Sequence, residues 1–162
     1  MKSWALIFLL FCISSSALHA QDCDDVPAMN QKIVQLARAK MKKKVGRGEC
    51  WDLAEYVLTE TAADWDHMYV YGRLINPKKE CVLPGDIIQF ENVKVRWKSG
   101  NTQNTTTMAH HTAIVTEIVS KDEWTIIHQN TDEYGKRVGE SPFYPNLVVS
   151  GKMMIYRPVR NR

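Results

Sequence analysis

The sequence predicts an α+β fold, with N-terminal helices packed on a small antiparallel β-sheet. Apolar residues recur at helical spacing in the segment after Pro27 and again after Gly48. From Asp86 onward the chain changes to β-branched runs separated by turn-forming residues. Helices first and strands second, without βαβ alternation, is the α+β order. With 162 residues, one domain is the natural expectation.

The elements follow in order. "AMNQKIVQLARAKM" sets Met29, Ile33, Leu36, Ala37 and Met41 on one helical face, and "VGRGE" breaks it at Gly46 and Gly48. A second helix opens at Cys50, which recurs with Leu53, Ala54, Val57 and Leu58 on one stripe. Residues 62–80 lack periodicity and read as loop and turn. "LPGD" (Leu83–Asp86) is a tight turn that launches the strand "IIQFENVKVRW". "KSGNTQNTTT" reads as a polar loop. "HHTAIVTEIV" and "WTIIHQN" read as a hairpin about "SKDE", and "NLVVSGKMMIYRP" supplies one or two closing strands.

Residues 1–20 read as a secretory signal: Lys2, then the apolar "WALIFLLFCI", then the small, weakly polar "SSSALHA". The apolar run is too short for a stable anchor, so cleavage after Ala20 predicts an exported domain over 21–162, periplasmic or extracellular. The formal net charge is +3, close to balance. One basic run, "RAKMKKK" (Arg38–Lys44), reads as a solvated helix end or as a face for an anionic polymer. No aromatics interleave with a long basic stripe, so nucleic acid is not an expected partner. Loss of Cys12 with the signal leaves Cys23, Cys50 and Cys81, an odd number that suggests one pair and one spare thiol. Sequence alone does not reveal pairing. Cys23 and Cys81 are plausible staple positions, and Cys50, opening a helix, suits a reactive thiol.

Thiol catalysis needs a cysteine held partly ionised, a base within reach, and a group that orients the base. Free N–H groups at a helix start favour a thiolate at Cys50, and they can donate to an oxyanion. The competing reading is a buried core cysteine. His111 heads a strand with Ala113 and Val115 on its face, and His110 points the other way. His128 shares a face with Trp124, Ile126 and Asn130. A four-residue turn at Ser120–Glu123 would set His128 opposite Val115 and leave His111 about 13 Å away at ~3.3 Å per residue, so the two meet only with a tighter turn or a bulge. A metal set of Cys50, His110, His111 and His128 fails on the opposed histidines and on the lack of a close-spaced Cys/His pair. No metal and no cofactor are expected.

"GECWDLAEYV", "LPGDIIQFE", "HHTAIVTEI" and "IIHQN", in that order, resemble the papain-like cysteine peptidases of the NlpC/P60 and CHAP group. The pattern is also similar to the cysteine-proteinase-fold domain at the C-terminal end of some fungal actin-patch proteins. The resemblance spans roughly residues 29–157. It implies an NlpC/P60-type papain-like fold with Cys50 as nucleophile, His111 as base and His128 as orienting residue. Trp51, Gln129 and Asn130 become substrate or support contacts. Two features depart from the pattern. "KKKVGRGE" lacks the upstream tyrosine of many NlpC/P60 enzymes, which leaves an oxyanion donor unassigned, and Glu49 sits beside the thiol. The implied function is an exported, monomeric thiol hydrolase of an amide or peptide bond in a peptide or peptidoglycan-like substrate. The alternative is a non-catalytic binding module on the same fold.

Overall fold

The computed structural model describes residue 23 and residues 25–160; the signal segment expected over 1–20 lies outside them. Two helices, α1 (Ala28–Arg38) and α2 (Asp52–Glu60), precede six strands: β1 (Arg73–Ile75), β2 (Ile87–Ser99), β3 (Thr102–Ser120), β4 (Glu123–His128), β5 (Gly139–Phe143) and β6 (Val148–Arg157). The strands form one sheet in the order β1-β6-β2-β3-β4-β5, antiparallel throughout.

Strand alternation gives the sheet two apolar faces. On one, Ile87, Ile114, Ile127 and Tyr156 pack against Ile33 and Ala37 of α1 and Leu53, Ala54, Val57 and Leu58 of α2. On the other, Ile88, Phe90, Ala113, Val115, Trp124, Ile126, Phe143 and Ile155 form a second core to which neither α1 nor α2 contributes.

The structure departs from the sequence reading in three places. "KSGNTQNTTT" is not a loop: β2 and β3 continue through it as a ribbon and turn only at Gly100–Asn101, where Ser99 pairs with Thr102. An exposed two-stranded ribbon buries neither face, so it needs no apolar alternation. Strands β1 and β5 lie in segments that read as loop. Strand β5, "GESPF", carries Pro142 and sits at the sheet edge, where a missing N–H costs no ladder bond. Helix α2 begins at Asp52, so Cys50 occupies the turn just before it.

One turn holds these layers together. In "LPGD", Gly85 adopts φ +87°, and a Cβ there would lie 2.5 Å from the Asn30 carbonyl oxygen, so only glycine lets α1 come this close. The buried Asp86 carboxylate accepts from Leu83 N–H (2.9 Å), from Asn30 Nδ2 (2.9 Å), and from Arg157 at Nε (3.0 Å) and at a terminal nitrogen (2.8 Å). Arg157 also donates to the Cys81 carbonyl at 2.6 Å. Cys81 is bridged to Cys23 across a sequence separation of 58, with Cα atoms 5.7 Å apart, and Cys50 is the free cysteine among the described residues.

Removing the Asp86 carboxylate strands a guanidinium whose side chain is only 12% exposed. Asp86→Ala should therefore lower the free energy of unfolding in urea by about 3–5 kcal/mol. Glu80→Ala, which breaks the more exposed pair with Arg73, should change it by no more than about 1 kcal/mol. Equal losses for the two variants would contradict the role given to Asp86.

Candidate active site

The loop that carries Cys50 is clamped from two sides. Asp52, buried at the first turn of α2, accepts from the N–H groups of Arg47 (2.7 Å) and Glu49 (3.0 Å). It thus folds the loop over the helix start as well as placing negative charge at the helix N-terminus. From the sheet, buried Gln129 donates to the carbonyls of Val45 (3.1 Å) and Glu49 (2.6 Å), and its amide oxygen accepts from Val45 N–H (3.2 Å). Asn130 donates to Glu49 Oε2 at 3.0 Å, and Lys136 pairs with Glu49 Oε1 at 3.0 Å. Gln129 and Asn130 are therefore support residues, and the Glu49 charge is committed to partners other than the thiol. Trp51 is half-buried, with its ring 6.3 Å from that of Trp65.

Cys50 keeps 9% of its surface accessible. Its sulfur is reached by the backbone N–H and the hydroxyl of Thr112, by Trp51 N–H and by its own N–H. These donors favour a thiolate, but burial outweighs them and pushes the Cys50 pKa up. Thr112 lies in β3, beyond the last pair that strand makes with β4, and immediately follows His111. Its single hydroxyl proton is shared between the sulfur and Gln89 Oε1 (2.7 Å), and Tyr71 Oη stands 2.9 Å from the hydroxyl oxygen.

The register settles how the two histidines meet. The β3–β4 pairing starts tightly, Ser120 opposite Glu123. It then slips at two irregularities, one between Ile118 and Ser120 and one between Val115 and Glu117, before Ile114 pairs with Ile127. Continued one step, that register sets His128 opposite Ala113, diagonal to His111 on the same face, a separation that long side chains bridge. His111 Nε2 lies 3.1 Å from His128 Nδ1, and His128 Nε2 lies 3.1 Å from Ser141 Oγ on β5. The His111 ring stacks on Phe90, with centroids 6.2 Å apart. Burial lowers the pKa of both histidines to about 4, and the neighbouring His128 and His110 add to the effect on His111.

Both rings are therefore neutral at pH 7, and the chain of partners suggests their tautomers. If His111 Nε2–H donates to His128 Nδ1, then His128 Nε2–H donates to Ser141, and His111 Nδ1 keeps its lone pair. No direct hydrogen bond joins Cys50 to His111; the thiol contacts the next residue, Thr112. His110 stands apart, with Nδ1 2.8 Å from Glu91 and its ring edge-on to Tyr69.

Sequence reasoning missed Ser141, Thr112 and the Gln89–Tyr71 pair beside it. Gln89 carried a signal, as a polar residue inside the apolar run "DIIQF". Ser141 carried none, because β5 was not read as a strand.

A thiol at a helix start, beside a strand-borne histidine pair on an antiparallel sheet, is the arrangement of a cysteine-proteinase fold. The chain belongs to the AIM3/BBC1 cysteine proteinase-fold domain family, whose model matches residues 28–162. Two solved structures are similar at 18% identity: Ly7917, with TM-score 0.48 over 78% of this chain, and Ly7917 with the hydrolyzing product of MDP, with TM-score 0.50 over 80% of this chain. The chain spans 62% of the length of each. At this identity the likeness bears on the fold alone. No curated protein sequence matches the chain.

The lowered histidine pKa values set a pH dependence of stability. The unfolded chain takes up protons near pH 6.5, and the folded pair only near pH 4. The stability contribution is thus intact above pH 6.5 and is lost as the pH falls from there towards 4. Between neutral pH and about pH 4.5, unfolding should become easier by roughly 2–3 kcal/mol per histidine, and a His111→Asn, His128→Asn double variant should lose most of that slope. Urea melts across this range read it directly, and an unchanged slope in the double variant would contradict the assignment.

Proposed function

We propose that this domain is an exported thiol hydrolase of peptide or amide bonds, acting through Cys50, His111 and His128. The observation that carries the reading is the His111–His128–Ser141 chain, which leaves His111 Nδ1 as an acceptor on the residue next to the one that contacts the Cys50 sulfur.

With the thiol raised and the imidazoles lowered, the resting state is a neutral pair, so the proton moves as the substrate reacts. His111 Nδ1 takes the Cys50 proton while the sulfur attacks the carbonyl carbon. The N–H groups of Cys50 and Trp51, which reach the sulfur, lie where they can hold the oxyanion. His111 then protonates the departing amine, and water attacks the thioester as His111 accepts its proton. His128, oriented by Ser141, holds the tautomer and shares the transient charge. Substrate binding must close the gap between thiol and imidazole, as catalytic hydrogen bonds often tighten only in the bound complex. The ligand class we favour is a peptide, whose amide carbonyl is the group that a thiol, an imidazole and N–H donors together would act on.

A second reading, a binding module on the same fold, rests on one observation: the thiol is buried, its pKa is raised, and no hydrogen bond joins it to His111.

Digestion of purified peptidoglycan and of a peptide library separates the two. Wild type should release products that Cys50→Ala does not. His128→Ala should lower kcat by about 10²–10⁴-fold, and Ser141→Ala by about tenfold. Identical product profiles for wild type and Cys50→Ala would remove the hydrolase reading for those substrates and leave the binding module.

A further inference from the structure

A second site lies outside this chemistry. Lys42, Lys43, Lys44, Lys136 and Arg137 line a cavity of about 600 Å³. As a sequence, the first three read as a solvated helix end or as a face for an anionic polymer. In the fold, α1 stops at Arg38, and backbone bonds sew the lysine segment to the segment before β5. Lys42 N–H donates to the Val138 carbonyl and Val138 N–H to the Lys43 carbonyl, both at 2.9 Å, beside a parallel bridge between Met41 and Val138. The two segments turn through left-handed residues, Lys42 at φ +63° and Gly135 at φ +55°.

Gathering like charges this way is unfavourable unless something answers them. No carboxylate lines the cavity, and among the described residues only Lys136 of the five has an ion-pair partner, Glu49. One wall is held firmly: Tyr134 donates to the Glu140 carbonyl at 2.8 Å, and its ring packs on Gly139 so closely that a Cβ there would lie 2.0 Å from it.

We propose that this cavity binds a compact ligand bearing several phosphate groups. Lysine ammoniums answer phosphate as point charges, and the Arg137 guanidinium can answer it bidentately. Five cations gathered around one open pocket suit a compact, clustered polyanion rather than an extended strand. The phosphates could stand on a free oligophosphate or on a lipid headgroup. The site is independent of Cys50, so it stands whether or not the domain hydrolyses anything.

The test uses the purified domain with two probes: inorganic tripolyphosphate by titration calorimetry, and phosphatidylcholine vesicles doped with phosphatidylinositol bisphosphate by co-sedimentation. Lys43→Gln, Lys44→Gln and Arg137→Gln are combined in one variant. Lys94→Gln, Arg96→Gln and Lys98→Gln, on the exposed β2 ribbon, remove the same charge elsewhere. Saturable binding of tripolyphosphate, weakened about tenfold or more in the cavity variant and unchanged in the ribbon variant, supports a phosphate site. The same pattern seen only on vesicles supports the headgroup as its source. Binding to neither probe, or equal weakening in both variants, overturns the proposal. Should the triple variant fail to fold, Lys43→Gln and Arg137→Gln singly carry the same comparison.

Discussion

The buried Asp86 carboxylate is the interaction on which the rest of the architecture depends. It joins three parts of the chain that share no sequence neighbourhood: the start of α1 through Asn30, its own turn through Leu83, and the end of β6 through Arg157. Burial pushes the Asp86 pKa up, while Arg157, Leu83 and Asn30 draw it back. A carboxylate so placed is tolerable only because every approach to it ends in a donor. The same turn is stitched to β3, with Gly85 N–H donating to the Val115 carbonyl at 2.7 Å and Val115 N–H to the Asp86 carbonyl at 2.9 Å. Those two bonds begin the β2–β3 ladder, which runs from Ile87–Ile114 through Phe90–His111 and on to Ser99–Thr102. The position of His111 is therefore inherited from a turn some distance away.

The other half of the site depends on irregularity. An unbroken ladder from Ser120–Glu123 would leave His128 opposite Val115, short of His111. Two single-residue slips in β3 bring the rings together and return His128 to the face of His111. One slip alone would have reversed that face, because side chains alternate along a strand. The two irregularities thus act as a matched pair, and the 3.1 Å contact between the imidazoles is their result.

Much of this was legible in the residues, for identifiable reasons. Helices show their period, and "LPGD" and "SKDE" are turns by composition, so the helix-then-sheet order could be read directly. The cysteine at the helix start and the histidines on two successive strands follow from those elements. The slips at Val115–Glu117 and Ile118–Ser120 could not be read, since Thr116 and Val119 are ordinary strand formers and nothing in them marks a bulge. The β2–β3 ribbon was hidden for a related reason. Its threonines and asparagines have the composition of a loop, and only the pairing partner makes them a strand. Ser141 was invisible because "GESPF" becomes a strand only by lying along β4.

The loop before α2 brings the two candidate sites side by side while keeping their electrostatics distinct. Around Cys50 and His111, burial removes charge: the thiol is held protonated and the imidazoles neutral. Around Lys42–Lys44 and Arg137, the chain concentrates charge and leaves it accessible. Glu49 stands between them, and Asn130 and Lys136 hold its carboxylate. Unheld beside Cys50, that negative charge would raise the cost of forming a thiolate. Pairing with Lys136 lessens that opposition and also takes one cation out of the basic cavity. A single ion pair on one short loop thus serves both environments, which accounts for an acid being tolerated next to the cysteine.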